Sequence, residues 1–115
     1  MDLLLNITNK NGVTIASFDG INRFNAVVSQ TVKEQINALL SVAHSKVIFD
    51  LTGIRFIDSS AFGALISNLK TAKLHNTSFS LCNLSPEIKE IITVMQLDTI
   101  FTIGETIEES IKLLS

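Results

Sequence analysis

The chain has no tryptophan and no tyrosine, and phenylalanine supplies all seven of its aromatic residues. Proline occurs once and glycine five times, so the composition is not that of a disordered or low-complexity chain. Hydrophobic residues make up 46% of the 115 positions, which predicts a mainly aliphatic core. A chain of this length buries about two thirds of the surface that it exposes when unfolded. We therefore expect a single domain over residues 1–115.

The chain also lacks a large excess of charge of either sign, because it has nine Lys and Arg residues and 11 Asp and Glu residues. The net charge of −2, with no basic cluster, predicts no nucleic-acid binding. Cys82 is the only cysteine, which excludes an internal disulfide and favours a reducing compartment. No apolar run approaches the ~20 residues of a membrane span, and Asp2 stands where a secretory signal carries basic residues. We expect a cytoplasmic protein that is not inserted in a membrane.

Strand and helix patterns alternate along the chain. Two short strands are predicted at "LLLNIT" and "VTIASF". Between them stands Asn11-Gly12, a dipeptide that tolerates positive φ and predicts a hairpin. Asn25 or Ser29 is the candidate N-cap of a first helix. An apolar stripe at helical spacing predicts that helix: Val28, Val32, Ile36, Leu39, Leu40 and Ala43.

Strands and helices also alternate in the second half. Strands are predicted at "KVIFDL", "TSFSLCNL" and "TIFTI", and helices at "SAFGALISNLKTAK", "SPEIKEIITVMQL" and "ETIEESIKLL". The order β-β-α-β-α-β-α-β-α predicts an α/β fold. We expect a small mixed sheet, an opening antiparallel hairpin followed by parallel strands, with about four helices packed on it.

The stretch "FIDSSAFGAL" places Asp58, Ser59 and Ser60 between an apolar strand and an apolar helix. A helix start leaves backbone N–H groups without partners, and Asp or Ser oxygens accept their hydrogen bonds. Such a cap explains one or two polar residues but does not require three. A nucleophilic serine needs a base, and neither His44 nor His75 has a neighbour that suggests a triad. A phosphate on a serine at this point would meet free N–H donors and the positive end of the helix dipole.

Metal and cofactor sites have little support in the sequence. His44, His75 and Cys82 lack the spacing of metal ligands, and the junction has too few glycines for a phosphate-cradling loop. No cofactor is predicted.

The segment "KVIFDLTGIRFIDSSAFGALISNLKTAK" resembles a STAS domain, and specifically a stand-alone bacterial anti-sigma factor antagonist. The resemblance extends over the hairpin, the Gly20 turn, "SFSLCNLSPEIKEIITVMQLDTIF" and the final helix, which come in the order of the family. It implies a mixed sheet with helices on one side.

The resemblance also implies a function that is regulatory and not enzymatic. By position, Ser59 corresponds to the serine that is phosphorylated by a partner that is both anti-sigma factor and serine kinase, a histidine-kinase-like ATPase. The unphosphorylated antagonist binds this kinase and frees the sigma factor, and the phosphorylated form cannot bind until a serine phosphatase removes the phosphate. Asp58 and Ser60, with Asn22 and Arg23 from the loop before the first helix, are the further expected partner-binding residues.

Two departures from the family pattern stand in the sequence. Ala61-Phe62-Gly63 replaces the usual Gly-Leu-Gly after the serines, and Asn22, Arg23 and Asn25 occupy the loop that commonly carries an acidic residue. An alternative interpretation is a constitutive STAS interaction module in a transport or stress-signalling complex, with Ser59 and Ser60 only capping the helix.

Overall fold

The computed structural model describes residues 4–115, in which seven strands alternate with four α-helices. In chain order they are β1 Leu5–Lys10, β2 Val13–Phe18, β3 Arg23–Phe24, α1 Ala26–Leu40, β4 Lys46–Asp50, β5 Phe56–Ile57, α2 Ser59–Leu74, β6 Ser78–Cys82, α3 Pro86–Val94, β7 Thr102–Gly104 and α4 Ile107–Leu113. A short 3₁₀ turn at Leu97–Thr99 separates α3 from β7. None of these helices is long and apolar enough to cross a membrane.

Five strands form the main sheet in the order β1-β2-β4-β6-β7. β1 is antiparallel to β2, and the other neighbours are parallel, as predicted. Asn11 and Gly12 join the first two strands with φ of 54° and 77°, and Lys10 faces Val13 across this turn. Such a two-residue connection with positive φ matches the twist of the strands. The predicted first strand also included Leu3, which lies outside the described residues.

Apolar side chains cover both faces of the sheet. Phe49, Leu81 and their neighbours on one face pack against α1, α2 and α3. On the other face, Ile48 and Cys82 pack against α4, which contributes Ile107 and Ile111. The implied placement of all helices on one side is therefore wrong for α4. Side chains alternate between faces along a strand, so a run as apolar as "KVIFDL" needs cover on both.

The first helix is shorter than its apolar stripe predicted. Asn25 is the N-cap, with its side chain accepting a hydrogen bond from the Val27 N–H at 3.1 Å, while Ser29 lies buried inside the helix. α1 ends at Leu40, and Ala43 is exposed in the following loop. His44 has a φ of 63°, a left-handed conformation that a helix cannot continue through.

A second, two-stranded parallel sheet pairs β3 with β5. Arg23 faces Phe56, and Phe24 faces Ile57. β3 follows β2 and β5 follows β4, so this small sheet joins the loops that leave two neighbouring strands of the main sheet. It brings the starts of α1 and α2 together.

Candidate functional site

The Asp58 carboxylate joins the first turns of both helices. Asp58 is the N-cap of α2, in extended conformation, and its Oδ1 accepts a hydrogen bond from the Ala61 N–H at 3.0 Å. Its Oδ2 accepts a hydrogen bond from the Ala26 N–H, at the start of α1, at 2.9 Å. The backbone N–H of Asp58 donates to the Phe24 carbonyl at 3.3 Å. Two helix starts, each with unpaired N–H groups, thus share one side chain as acceptor.

Ser59 and Ser60 are the first two residues of α2, and both are exposed. The N-cap role belongs to Asp58, because its backbone is extended whereas both serines already lie in the helix. The alternative assignment of Ser59 and Ser60 as helix caps is therefore wrong. Among residues 4–115, neither hydroxyl takes part in a hydrogen bond with another side chain or the backbone. Both remain open to solvent or to another protein.

Asn22 and Arg23 lie beside this junction because of the β3–β5 pairing. The Asn22 carbonyl accepts hydrogen bonds from the N–H groups of Arg55 at 2.8 Å and Phe56 at 3.4 Å. The guanidinium carbon of Arg23 lies 4.5 Å from the centroid of the Phe56 ring, a cation–π contact. The structure thus brings Asn22, Arg23, Asp58 and Ser59 to the same end of the two helices.

Two exposed apolar residues complete this surface, and the sequence pattern did not identify them. Val27, in the first turn of α1, is 87% exposed, and Phe56 is 54% exposed. A shallow hollow of about 330 Å³ lies between Val27, Asn22 and Arg23. We define the α1–α2 face as the side chains of Asn22, Arg23, Val27, Phe56, Ser59 and Ser60. Two signals in the sequence could have identified them: Val27 falls off the apolar stripe of α1, and Phe56 alternates with Ile57, which is half-buried against the core.

Hydrolytic chemistry at Ser59 lacks a base. His75 is the C-cap of α2, and 16 helical residues place it about 24 Å from Ser59. The His44 N–H donates to the His75 carbonyl at 3.4 Å, so both histidines lie at the far end of the helix. Within residues 4–115, no three His, Cys, Asp or Glu side chains are grouped closely enough to hold a metal ion. Within the described residues, the α1–α2 face therefore combines exposed polar and apolar side chains without a histidine close to Ser59.

The carboxyl ends of β4 and β6 are tied together by a buried acid. Asp50 Oδ1 accepts hydrogen bonds from the Thr52 N–H at 3.0 Å, the Thr52 hydroxyl at 2.6 Å and the Asn83 amide at 2.9 Å. Burial, followed by the nearby charge of Asp50, raises the pKa of the neighbouring Cys82 thiol to about 12. Cys82 is fully buried and packs as a small hydrophobic residue. Neither group supplies a reactive nucleophile.

A layered α/β domain with an exposed mixed polar and apolar face, and without a catalytic constellation in the described residues, has the properties of a binding module. The sequence profile described as "STAS domain" matches residues 5–110. The chain belongs to the STAS domain family.

Relatives and solved structures agree with this membership. A STAS-domain containing protein of Pseudomonas aeruginosa is 30% identical over 65 residues, 56% of this chain and 64% of its own length. The chain spans less than two thirds of the length of the curated relatives that it matches: 64% of this protein and 65% of a second relative. An anti-sigma-factor antagonist (STAS) domain protein from Planctomyces limnophilus superposes with a TM-score of 0.86 at 26% identity, covering 96% of this chain and 97% of that one. The Bacillus cell fate determinant SpoIIAA in its phosphorylated form gives 0.67 at 14% identity, with coverages of 96% and 99%, a likeness of fold alone.

Proposed function

We propose that this chain is an anti-sigma factor antagonist whose binding to an anti-sigma serine kinase is switched by phosphorylation at Ser59. Unphosphorylated, it binds the kinase through the α1–α2 face and frees the sigma factor. Phosphorylated, it no longer docks until a serine phosphatase removes the phosphate. The exchange runs in the cytoplasm, where ATP and sigma factors are found.

The observation that carries this proposal is the exposed, unpaired Ser59 hydroxyl at the first residue of α2. Asp58 already supplies the cap, so phosphorylation of the Ser59 hydroxyl breaks no stabilising hydrogen bond. A phosphate at a helix N-terminus is favoured by the free N–H groups and by the helix dipole. The modified domain is therefore expected to stay folded.

The relatives support the choice of partner. The Planctomyces limnophilus protein is described as an anti-sigma-factor antagonist, and SpoIIAA has a phosphorylated form. A phosphoserine carries nearly two negative charges and three acceptor oxygens at neutral pH. Placed in the centre of a docking surface, this group adds charge and bound water that the partner must displace. Binding is then lost through a local change, while the core is untouched.

Phosphorylation of purified protein is the direct test. Incubated with its cognate kinase and ATP, the chain is expected to gain one phosphate by intact-mass measurement, and Ser59→Ala is expected to gain none. Ser60→Ala is the matched control, because Ser60 is the next exposed serine on the same turn. It is expected to be phosphorylated like the unaltered chain. Phosphate found only on Ser60, or on neither serine, would contradict the proposal.

The switch itself is tested with Ser59→Glu, which places a permanent negative charge at the same position. We expect this variant to lose kinase binding while its thermal midpoint stays within a few degrees of the unaltered chain. A pull-down from native cells adds a second readout. Recovery of a histidine-kinase-like ATPase supports the antagonist, whereas recovery of membrane transporter components supports a constitutive assembly role.

A further inference from the structure

Arg23 is held in place but has no polar partner within the described residues. Its guanidinium lies over the exposed ring of Phe56, and the two residues face each other across the β3–β5 pair. The two ion pairs in residues 4–115 join Lys10 to Glu108 and Lys89 to Glu105, so neither involves Arg23. A guanidinium stacked on a ring keeps its N–H groups directed outward from the ring edge. Arg23 is thus pre-organised to donate to a planar acceptor.

Neither Asp58, at the same junction, nor Asp19, earlier in the same loop, forms an ion pair with Arg23. Asp58 uses both oxygens on the N–H groups of Ala26 and Ala61. Asp19, at the start of the same loop, is exposed and forms no ion pair with Arg23. The second of the two arginines in the chain, Arg55, immediately precedes Phe56. Arg55 borders a hollow of about 360 Å³ that is also lined by Glu87 and Glu105, whereas Arg23 borders a hollow whose lining contains no acid.

We propose that the α1–α2 face docks onto an acidic surface of the partner kinase, with Arg23 donating to a partner carboxylate and Phe56 and Val27 packing beside it. The identification of the partner as a kinase rests on the proposed function, whereas its acidic character rests on Arg23. Arginine and aromatic residues at the centre of an interface are those that contribute most to affinity. A guanidinium matches a carboxylate in a paired hydrogen-bond geometry that lysine cannot reproduce.

Docking of an acidic partner surface on Arg23 also explains why a phosphate on Ser59 would weaken binding. Ser59 follows Phe56 by three residues, so the phosphate is added beside the surface that the partner acid approaches. A dianion there repels the partner carboxylate and competes with it for the Arg23 guanidinium. A basic partner surface would be attracted by the same phosphate. The acidic assignment is therefore the one under which modification of Ser59 weakens docking.

Binding measurements with charge variants test this inference. The probe is the ATPase-domain protein purified as the binding partner of the unaltered chain, whether or not it phosphorylates Ser59. We expect Arg23→Ala to weaken binding about tenfold or more, and Arg23→Glu about a hundredfold or more. Arg23→Lys is expected to restore only part of the loss. Lys73→Glu, in the last turn of α2, is the matched charge control and is expected to bind normally. Affinity for the unaltered chain is expected to fall as salt is raised.

Charge reversal on the partner completes the experiment, since an Asp or Glu→Arg change in its interface is expected to recover binding by Arg23→Glu. Normal or tighter binding by Arg23→Glu would overturn the acidic-partner inference, even with the Ser59 switch intact. Conversely, loss of binding by Arg23→Glu together with normal binding by Ser59→Glu would support the acidic surface and refute the switch. Thermal unfolding of each variant separates lost contacts from lost fold.

Discussion

The carboxylate of Asp58 accepts a hydrogen bond from the backbone N–H of Ala26, 32 residues earlier in the chain, at 2.9 Å. The same carboxylate caps α2 through Ala61. One side chain therefore fixes the start of α1 relative to the start of α2. Because the α1–α2 face consists of residues from both starts, its geometry depends on a carboxylate whose two oxygens both accept hydrogen bonds from backbone N–H groups. Asp58 therefore positions the face, and because it is exposed it also stays a predicted partner-binding residue.

Removing this carboxylate is expected to lower stability and to loosen the face. Loss of one N-cap costs about 1 kcal/mol, and the second accepted hydrogen bond brings the expected loss for Asp58→Ala to about 2 kcal/mol. Asp58→Asn retains one acceptor oxygen, so its free energy of unfolding is expected to lie between those of Asp58→Ala and the unaltered chain. Urea unfolding measures all three. A loss below about 0.5 kcal/mol for Asp58→Ala would show that the two hydrogen bonds are replaced by water.

The serines are expected to behave differently from Asp58. Ser59→Ala and Ser60→Ala each remove an exposed, unpaired hydroxyl and introduce the best helix former, so both are expected to stay within about 0.5 kcal/mol of the unaltered chain. A capping role for either serine requires a loss of about 1 kcal/mol instead. Equilibrium unfolding in urea distinguishes the two values. A loss of that size in one variant alone would identify a hydrogen bond that its hydroxyl makes in solution.

The fold class was predictable because its signals are local and repeated. The Asn11-Gly12 turn, the continuous apolar run at "KVIFDL" and the Ser85-Pro86 start of α3 each determine one element. The placement of α4 was not predictable, since amphipathic helices carry no record of which sheet face they cover. The apolar stripe predicts the end of α1 one turn too late, because Ala43 fits the stripe whether or not the backbone at that point is helical.

The candidate site was only partly predictable for a similar reason. "IDSSAFG" marks a strand-to-helix junction, and the resemblance directed attention to Ser59 and to the loop containing Asn22 and Arg23. The pairing of β3 with β5 brings them together, and strands of two residues carry no periodic signal. The stacking of Arg23 on Phe56 and the bond from Ala26 to Asp58 both depend on that pairing across distant segments.

Alkaline pH is expected to lower the free energy of unfolding, because Cys82 is buried as a neutral thiol. Burial and the nearby Asp50 raise the pKa of this thiol from 9.0 to about 12, so the folded protein favours the neutral form. Its contribution to stability is fully present below pH 9 and is lost as the pH rises towards 12. Ultraviolet absorbance of the thiolate follows the titration directly, because no tyrosine obscures the signal. Cys82→Ala is expected to lack this alkaline loss, and a folded-state thiolate at pH 9 would contradict the assignment.

Substitution by alanine is expected to destabilise the protein at one glycine, Gly104, and to stabilise it at another, Gly63. A Cβ added to Gly104 in β7 would lie 2.8 Å from the backbone nitrogen of Ser110, so the strand and α4 must separate. Gly104→Ala is therefore expected to cost about 1–3 kcal/mol, in the range of overpacked cores. A Cβ on Gly63, an exposed position within α2, meets nothing within 4 Å. Gly63→Ala is expected to add about 0.8 kcal/mol, because alanine loses less backbone freedom in a helix. Urea unfolding of both variants measures the difference, and a stable Gly104→Ala protein would mean that α4 does not pack on β7 as closely as the structure shows.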